Sequence, residues 1–397
     1  MSDNLKNSIQ RELDRIHLET VTHYKRLHRR PELSFQEKET AAYVESVLKT
    51  LNIPYRSGIG GYGILAWLEG KEPDSQTIAL RADMDALPIA EDNDIDFKSE
   101  NPGVMHACGH DAHTASLLSA LKIINNLKER IIGTVLFVFQ PGEERHPGGA
   151  SLMLADGIFD RYKPDVIVGQ HAYVDYPVGT VGFQGGVIMA SADEIHLKIS
   201  GKGGHGAIPH AINDTVLAAA QVVVAMQQVV SRRANPFKPA VLTVGKFIAN
   251  GATNIIPDEV VLAGTLRCMD ENERKRLKPI IHEIAVNTAK AYGCKCKIDV
   301  YDGYPCTYNN EEATGLLKNF AVEYLGEAHV KGLSPRMTSE DFGFFSQQYP
   351  AVFYRFGIQG KQCSAGLHTS RFLIDEEALR TSAGLFAYIA LRWGERS

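Results

Sequence analysis

The sequence predicts an α/β protein: a domain built on a largely parallel, mixed sheet, interrupted by a smaller α+β domain. Three observations predict it. The chain has 397 residues, more than the roughly 250–300 at which one hydrophobic core stops growing, so two cores are expected. Short apolar runs alternate with helical patterns toward both ends, as in a buried, largely parallel sheet. Between them the texture changes to two strand-helix-strand units with alternating faces, which divides the chain into 1–186, 187–302 and 303–397.

In order, Ile9, Leu13, Ile16 and Leu27 keep helical spacing, and Ala41, Val44, Val47, Leu48 and Leu51 do so again after Pro31. Strands are expected at Gly63–Leu68, Thr77–Ala82, Thr134–Phe139 and Val166–Val168, with a helix over about His113–Leu127. The middle segment reads as strands at Glu194–Ser200, Ala240–Gly245 and Glu259–Arg267, with helices near Thr215–Val230 and Glu271–Ala291. Ala351–Phe356 then reads as a strand and Asp375–Leu391 as a helix.

Composition narrows the function classes. Hydrophobic residues make up 44% and charged residues 22%, enough for a filled core and too apolar for wholesale disorder. With 42 Lys and Arg against 47 Asp and Glu, the net charge of −5 argues against a chain built to cover nucleic acid or anionic lipid. The six cysteines form no CxxC motif, which suits a reducing compartment, and the first residues lack the apolar stretch of a signal peptide. A cytoplasmic location is therefore expected. The longest apolar stretch, Val216 to Val230, is broken by Gln221, Gln227 and Gln228 and falls short of about 20 residues, so no membrane span is expected.

Chemistry collects where the apolar runs end. Ile78–Ala82 ends in Asp83-Met84-Asp85, Val135–Phe139 in Gln140-Pro-Gly-Glu143-Glu144, and Val166–Gln170 in His171. Ligands of open α/β sheets sit outside the carboxyl ends of the strands, so these groups should converge. Between them lies Met105-His106-Ala-Cys108-Gly-His110-Asp-Ala-His113, opening a helical pattern. Cys, His and Glu are the donors a divalent transition metal takes, and Gly109 lets the backbone bend so that its neighbours face one point. Each residue alone has an ordinary structural reading; their joint placement favours a metal. Glu143 and Glu144 leave a Pro-Gly turn in different directions, so one can ligate while the other moves the proton of the attacking water. A cysteine nucleophile at Cys108 is the rival reading, and it leaves the glutamate pair and His171 unexplained.

RADMDALP, MHACGHDAH, FQPGEE, GQH, GKGGHGAIPH, GATNIIPD, TSEDF and GLHTSRF, in this order from about His28 onward, together resemble the M20 metallopeptidase family. The likeness is to its amidohydrolase branch, which includes hippurate hydrolases and N-acyl-amino-acid amidohydrolases. The resemblance implies a di-metal catalytic domain interrupted by a lid domain that dimerises. It implies two divalent ions per chain, with zinc, manganese, nickel and cobalt all open. Cys108 would bridge them, with His110 and His171 completing one site and Glu144 and His368 the other. Glu143 would be the general base and Asp85 an orienting carboxylate. The wider family has a metal-binding histidine where this chain has Asp83, and His110 supplies the missing imidazole in this branch. In the lid, His205 would polarise the scissile carbonyl, often in the partner subunit's site, while Asn254 and Arg267 hold a substrate carboxylate. His106 and His113 flank the motif without an assigned role; His17, His23, His28, His282 and His329 read as structural or exposed.

The function implied is metal-dependent hydrolysis of small-molecule N-acyl amino acids by a homodimer. A dipeptidase or carboxypeptidase-like exopeptidase is the alternative within enzymes. A non-hydrolytic metal or ligand binder is the alternative outside them, and it leaves Glu143 without a purpose.

Overall fold

The computed structural model describes residues 2–361, 363 and 365–396. The order begins with α1 (Ser2–Arg29), α2 (Lys38–Thr50), β1 (Tyr55–Ile59), β2 (Gly63–Glu69), β3 (Thr77–Asp83), α3 (His110–Asn126), β4 (Thr134–Gln140), α4 (Gly149–Ala155), β5 (Val166–Pro177) and β6 (Val181–Phe183). It continues with β7 (Gly186–Met189), β8 (Ala192–Ser200), β9 (Gly204–His205), α5 (Thr215–Met226), β10 (Ala240–Ile248), β11 (Ile255–Ile256), β12 (Glu259–Cys268), α6 (Glu271–Ala291) and β13 (Lys295–Tyr304). β14 (Thr307–Asn309), α7 (Glu311–Leu325), β15 (Val330–Gly332), α8 (Gly343–Ser346), β16 (Ala351–Gln359) and α9 (Ala378–Gly394) complete it.

Two compact units result. The first takes residues up to Gly186, Tyr308–Ser334 and those from Phe344 onward; the second takes Val187–Thr307 and Pro335–Gly343. Against the expected 187–302, the second unit therefore runs five residues further and gains a separate segment. The reasons are local: β13 carries the sheet past 302 to Tyr304, and a bridge between Met189 and Arg336 ties the later segment to the unit.

The first unit holds an eight-stranded sheet in the order β1-β2-β4-β3-β5-β16-β6-β15. Its central strands β4, β3, β5 and β16 run parallel, and the antiparallel pairings lie toward the edges. Alternation explains what each strand buries: Ile78, Leu80 and Ala82 of β3 and Val166, Val168 and Ala172 of β5 join one core with α1, α3 and α9. Parallel strands then deliver Asp83, Gln140 and His171 to one end of the sheet.

The second unit is a four-stranded antiparallel sheet, β10-β12-β8-β13, covered by α5 and α6 over its own core of Ile195, Leu197, Ile199, Val222, Leu277 and Ile281. Asp214 caps α5 by accepting from Leu217 N at 2.9 Å, and Asp270 caps α6 by accepting from Glu273 N at 2.8 Å. The helical path of α5 extends as far as Arg233, so Thr215–Arg233 is long and apolar enough, by length and composition, to cross a membrane. That differs from the shortfall expected of the sequence. Ala218, Ala219, Val222 and Met226 nonetheless seat this helix in the core of the second unit.

Candidate metal centre

β3 ends at Asp83, and two residues on Asp85 becomes a hub. Its Oδ2 accepts from Ser34 Oγ at 2.6 Å and from Glu144 N at 2.9 Å. His110, the first residue of α3, places Nδ1 2.9 Å from the Asp85 carbonyl and 3.2 Å from Asp85 Oδ1. A carbonyl only accepts, so Nδ1 carries a proton there and Nε2 is the ring nitrogen that faces the site. That Nε2 is buried and makes no hydrogen bond among the described residues. Gly109, at φ +90°, makes the turn that lets Cys108 and His110 share the site.

His171 is oriented by the same logic. Its Nδ1 donates to the Ala172 carbonyl at 2.8 Å, and its Nε2 lies 3.3 Å from Cys108 Sγ. On the other side of that sulfur, His368 Nε2 is also 3.3 Å away, and it stands 3.4 Å from Glu144 Oε1. His368 adopts φ +60° and its amide donates to the Ala107 carbonyl at 2.7 Å, which ties its loop to the Cys108 segment. Cys108, His110 and His171 thus bring ligand atoms within 4.8 Å of one another, as do Cys108, Glu144 and His368. Glu143, buried, belongs to a third such group with His110 and Glu144.

The local charge suits a cation. Burial pushes the Cys108 thiol up, and the Glu144 carboxylate adds to this. Hydrogen bonds to Cys108 and Glu144 raise His368 to about 10, and burial opposes protonation of His110 but Asp83 and Cys108 overcome it and lift it well above its ordinary range. Both imidazoles are answering an excess of negative charge. Burial and the Arg355 guanidinium hold His171 well below its usual value, so it stays neutral.

Asp83 and His113 are otherwise engaged. Asp83 Oδ2 binds Arg81 Nη1 at 2.6 Å and its Oδ1 meets His113 Nδ1 at 2.6 Å, while His113 Nε2 accepts from Ala172 N at 2.9 Å. Both nitrogens of His113 are taken, and the ring fixes the β5 backbone beside His171. His106 is buried, and neither ring nitrogen has a hydrogen bond among the described residues.

His205, Asn254 and Arg267 lie in the second unit. His205 pairs with Ile255 across β9 and β11, and Gly206 N donates to the Asn254 carbonyl at 2.9 Å, so these two are neighbours. Ala207 N donates to His205 Nδ1 at 3.1 Å, which leaves the proton on Nε2. Half-buried Arg267 on β12 donates to Ser339 Oγ at 2.9 Å. Several residues at the centre escaped the sequence reading: Ser34, Glu37, Arg81 and Arg355. Arg81 and Arg355 carry a visible signal, each a cation inside an apolar run, of β3 and of β16.

The description "Peptidase family M20/M25/M40" matches residues 79–392. An N-acyl-L-amino acid amidohydrolase of Geobacillus stearothermophilus is 40% identical over 77% of this chain and 82% of its own. An N-acetyl-L-cysteine deacetylase of Bacillus subtilis is 37% identical over 91% and 85%. The crystal structure of the Bacillus subtilis YxeP protein, described as a dinuclear metal-binding peptidase from the M20 family, superposes with a TM-score of 0.83 at 30% identity, covering 96% of this chain and 99% of that one. With the glutamate pair and the Cys/His cluster at the end of its parallel sheet, the chain is a hydrolase that belongs to peptidase family M20/M25/M40.

Proposed function

We propose that this hydrolase cleaves the amide bond of N-acyl amino acids, releasing a carboxylic acid and the free amino acid, with two divalent ions held by Cys108, His110, Glu144, His171 and His368. The observation that carries the reading is the Cys108 sulfur standing between two imidazole Nε2 atoms, 3.3 Å from each, beside the Glu143-Glu144 turn. The donor set fits such ions: a thiol, imidazoles aimed by carbonyls, and a carboxylate, with His110 Nε2 buried and without a hydrogen bond among the described residues. Divalent ions held by these residues would supply Lewis acidity to the scissile carbonyl and to the attacking water. Glu143 takes the proton from that water and returns it to the departing amine as the C–N bond breaks. Asp85 orients His110 and the Glu144 backbone. His205, protonated on Nε2, donates to the carbonyl oxygen, and Asn254 with Arg267 holds the amino acid carboxylate.

The second unit supports a homodimer. α5 is apolar on two sides: Ala218, Val222 and Met226 face its core, while Leu217 and Val224 are 47% and 64% exposed. Edge strand β10 exposes Phe247 at 44%. An apolar helix face and a strand edge that is unpaired among the described residues are what a second copy covers.

The test is turnover of N-acetyl and N-benzoyl amino acids and of dipeptides by metal-reconstituted protein, read as released amine. Hydrolysis of the acyl amino acids, lost on chelation with the fold retained and regained on adding metal, is expected. Full activity after exhaustive chelation, or cleavage of dipeptides alone, would overturn the reading.

A further inference from the structure

Glu37 is the residue that enters α2, yet its carboxylate makes no cap to its own helix. Instead Oε1 accepts from the amide of Gly142, 105 positions away, at 2.7 Å and from the amide of Phe35 at 2.9 Å. Its other oxygen, Oε2, is buried without a hydrogen-bond partner among the described residues. Leaving a buried carboxyl oxygen unpaired is unfavourable, so the arrangement calls for a reason.

The reason lies in what the loop before α2 touches. Ser34 holds Asp85 through the 2.6 Å contact, Ala86 N donates to the Glu32 carbonyl at 2.8 Å, and Glu37 holds Gly142. One short loop therefore grips the chain leaving β3 and the chain leaving β4. Phe35 sits at φ +65°, a strained conformation for a residue with a side chain, and its ring lies where a Cβ on Gly142 would be, 2.3 Å away. The Gly142 carbonyl is fixed too, accepting from Gly149 N at 2.9 Å. Gly142 is thus held by its amide, its carbonyl and its α-carbon, and the next residue is Glu143.

We propose that Glu37 is a positioning residue: its Oε1, clamped on the Gly142 and Phe35 amides, sets the backbone of the Pro141–Glu144 turn and so aims the Glu143 carboxylate. The consequence for turnover rests on the proton-carrying role of Glu143 given above; the clamp itself does not.

Glu37→Gln and Glu37→Leu test it. The glutamine keeps a carbonyl oxygen where Oε1 stands and places its amide where nothing is bonded; leucine keeps the volume and removes the acceptor. Hydrogen exchange of the peptide spanning Gly142, metal content and melting temperature are read with kcat and KM. In Glu37→Leu, exchange at Gly142 should accelerate at least tenfold and kcat should fall by up to about 10²-fold, with KM and bound metal within twofold of the parent. Glu37→Gln should stay within about threefold of the parent in kcat, because its acceptor is intact. Unchanged exchange in the leucine variant would overturn the clamp whatever the turnover. Faster exchange with unchanged kcat would overturn its bearing on Glu143, and equal losses in both variants would show that the charge, not the acceptor, matters. Should the leucine variant not fold, Glu37→Asp, which withdraws the oxygen by one methylene, takes its place with the same expected split. A parent enzyme that turns over no amide of the panel would overturn the proposed function, while the exchange readout still decides the clamp.

Discussion

Glu143 and Glu144 are chemically identical neighbours, and what separates them is backbone. The Glu144 amide is fixed on Asp85 and its carboxylate reaches His368, whereas Glu143 follows Gly142 into the buried cluster with His110. Glu143→Gln is therefore expected to lower kcat by about 10²–10⁴ with metal content unchanged, and Glu144→Gln to lower metal occupancy; kinetics beside elemental analysis separates the two. A second residue makes a pH prediction. Burial opposes charge on His28, but Asp111 at 2.7 Å and Glu91 at 3.1 Å raise it from 6.5 to about 9. The folded protein then holds a proton that the unfolded chain releases near 6.5, so this stabilisation is complete below about pH 6.5 and is lost as pH rises through about 9. The melting temperature should fall across that window, and less so in His28→Gln. The sequence shows Cys108, His110 and the glutamates because their chemistry is distinctive at strand ends. It hides His28, Glu37 and His113, whose partners lie 83, 105 and 30 positions away in the contacts with Asp111, Gly142 and Asp83.

At the scale of elements, apolar periodicity finds β3 and β4 nearly to the residue but stops β5 at Val168, nine residues before its end at Pro177. The strand continues through polar residues because distant partners pay their desolvation: Gln170 accepts from Tyr354 Oη at 2.8 Å and donates to Ser382 Oγ at 2.5 Å, within the core. His171 consequently sits inside a strand, paired with Arg355 of β16, rather than on a free loop. The turn after β4 is equally constrained. At Gly142, φ is +61° and a Cβ would meet the Phe35 ring at 2.3 Å. Gly142→Ala should destabilise the protein by roughly 2–4 kcal/mol, combining left-handed strain with overpacking. Chemical denaturation checks this; a loss under 1 kcal/mol would mean that the loop before α2 yields freely.

For the whole molecule, the separate cores mean that the proposed dimer contact can be altered without touching the metal ligands, all of which belong to the first unit. Val224→Glu on the exposed side of α5 should convert a dimer to a monomer by light scattering, with the first unit's melting transition unchanged. If His205 serves the partner subunit, mixing His205→Ala with Glu143→Gln chains should restore part of the lost turnover; verified mixed dimers without recovery would confine His205 to its own chain. The order of strands has a further consequence, for synthesis on the ribosome. β16 fills the slot between β5 and β6, although it is made only after the whole second unit has been translated. Until then the emerging first unit has a gap in the middle of its sheet, beside the strand that carries His171. The stretch Val187–Thr307 contains its own sheet and can close as soon as it leaves the exit tunnel, so the unit made second is the one able to finish first.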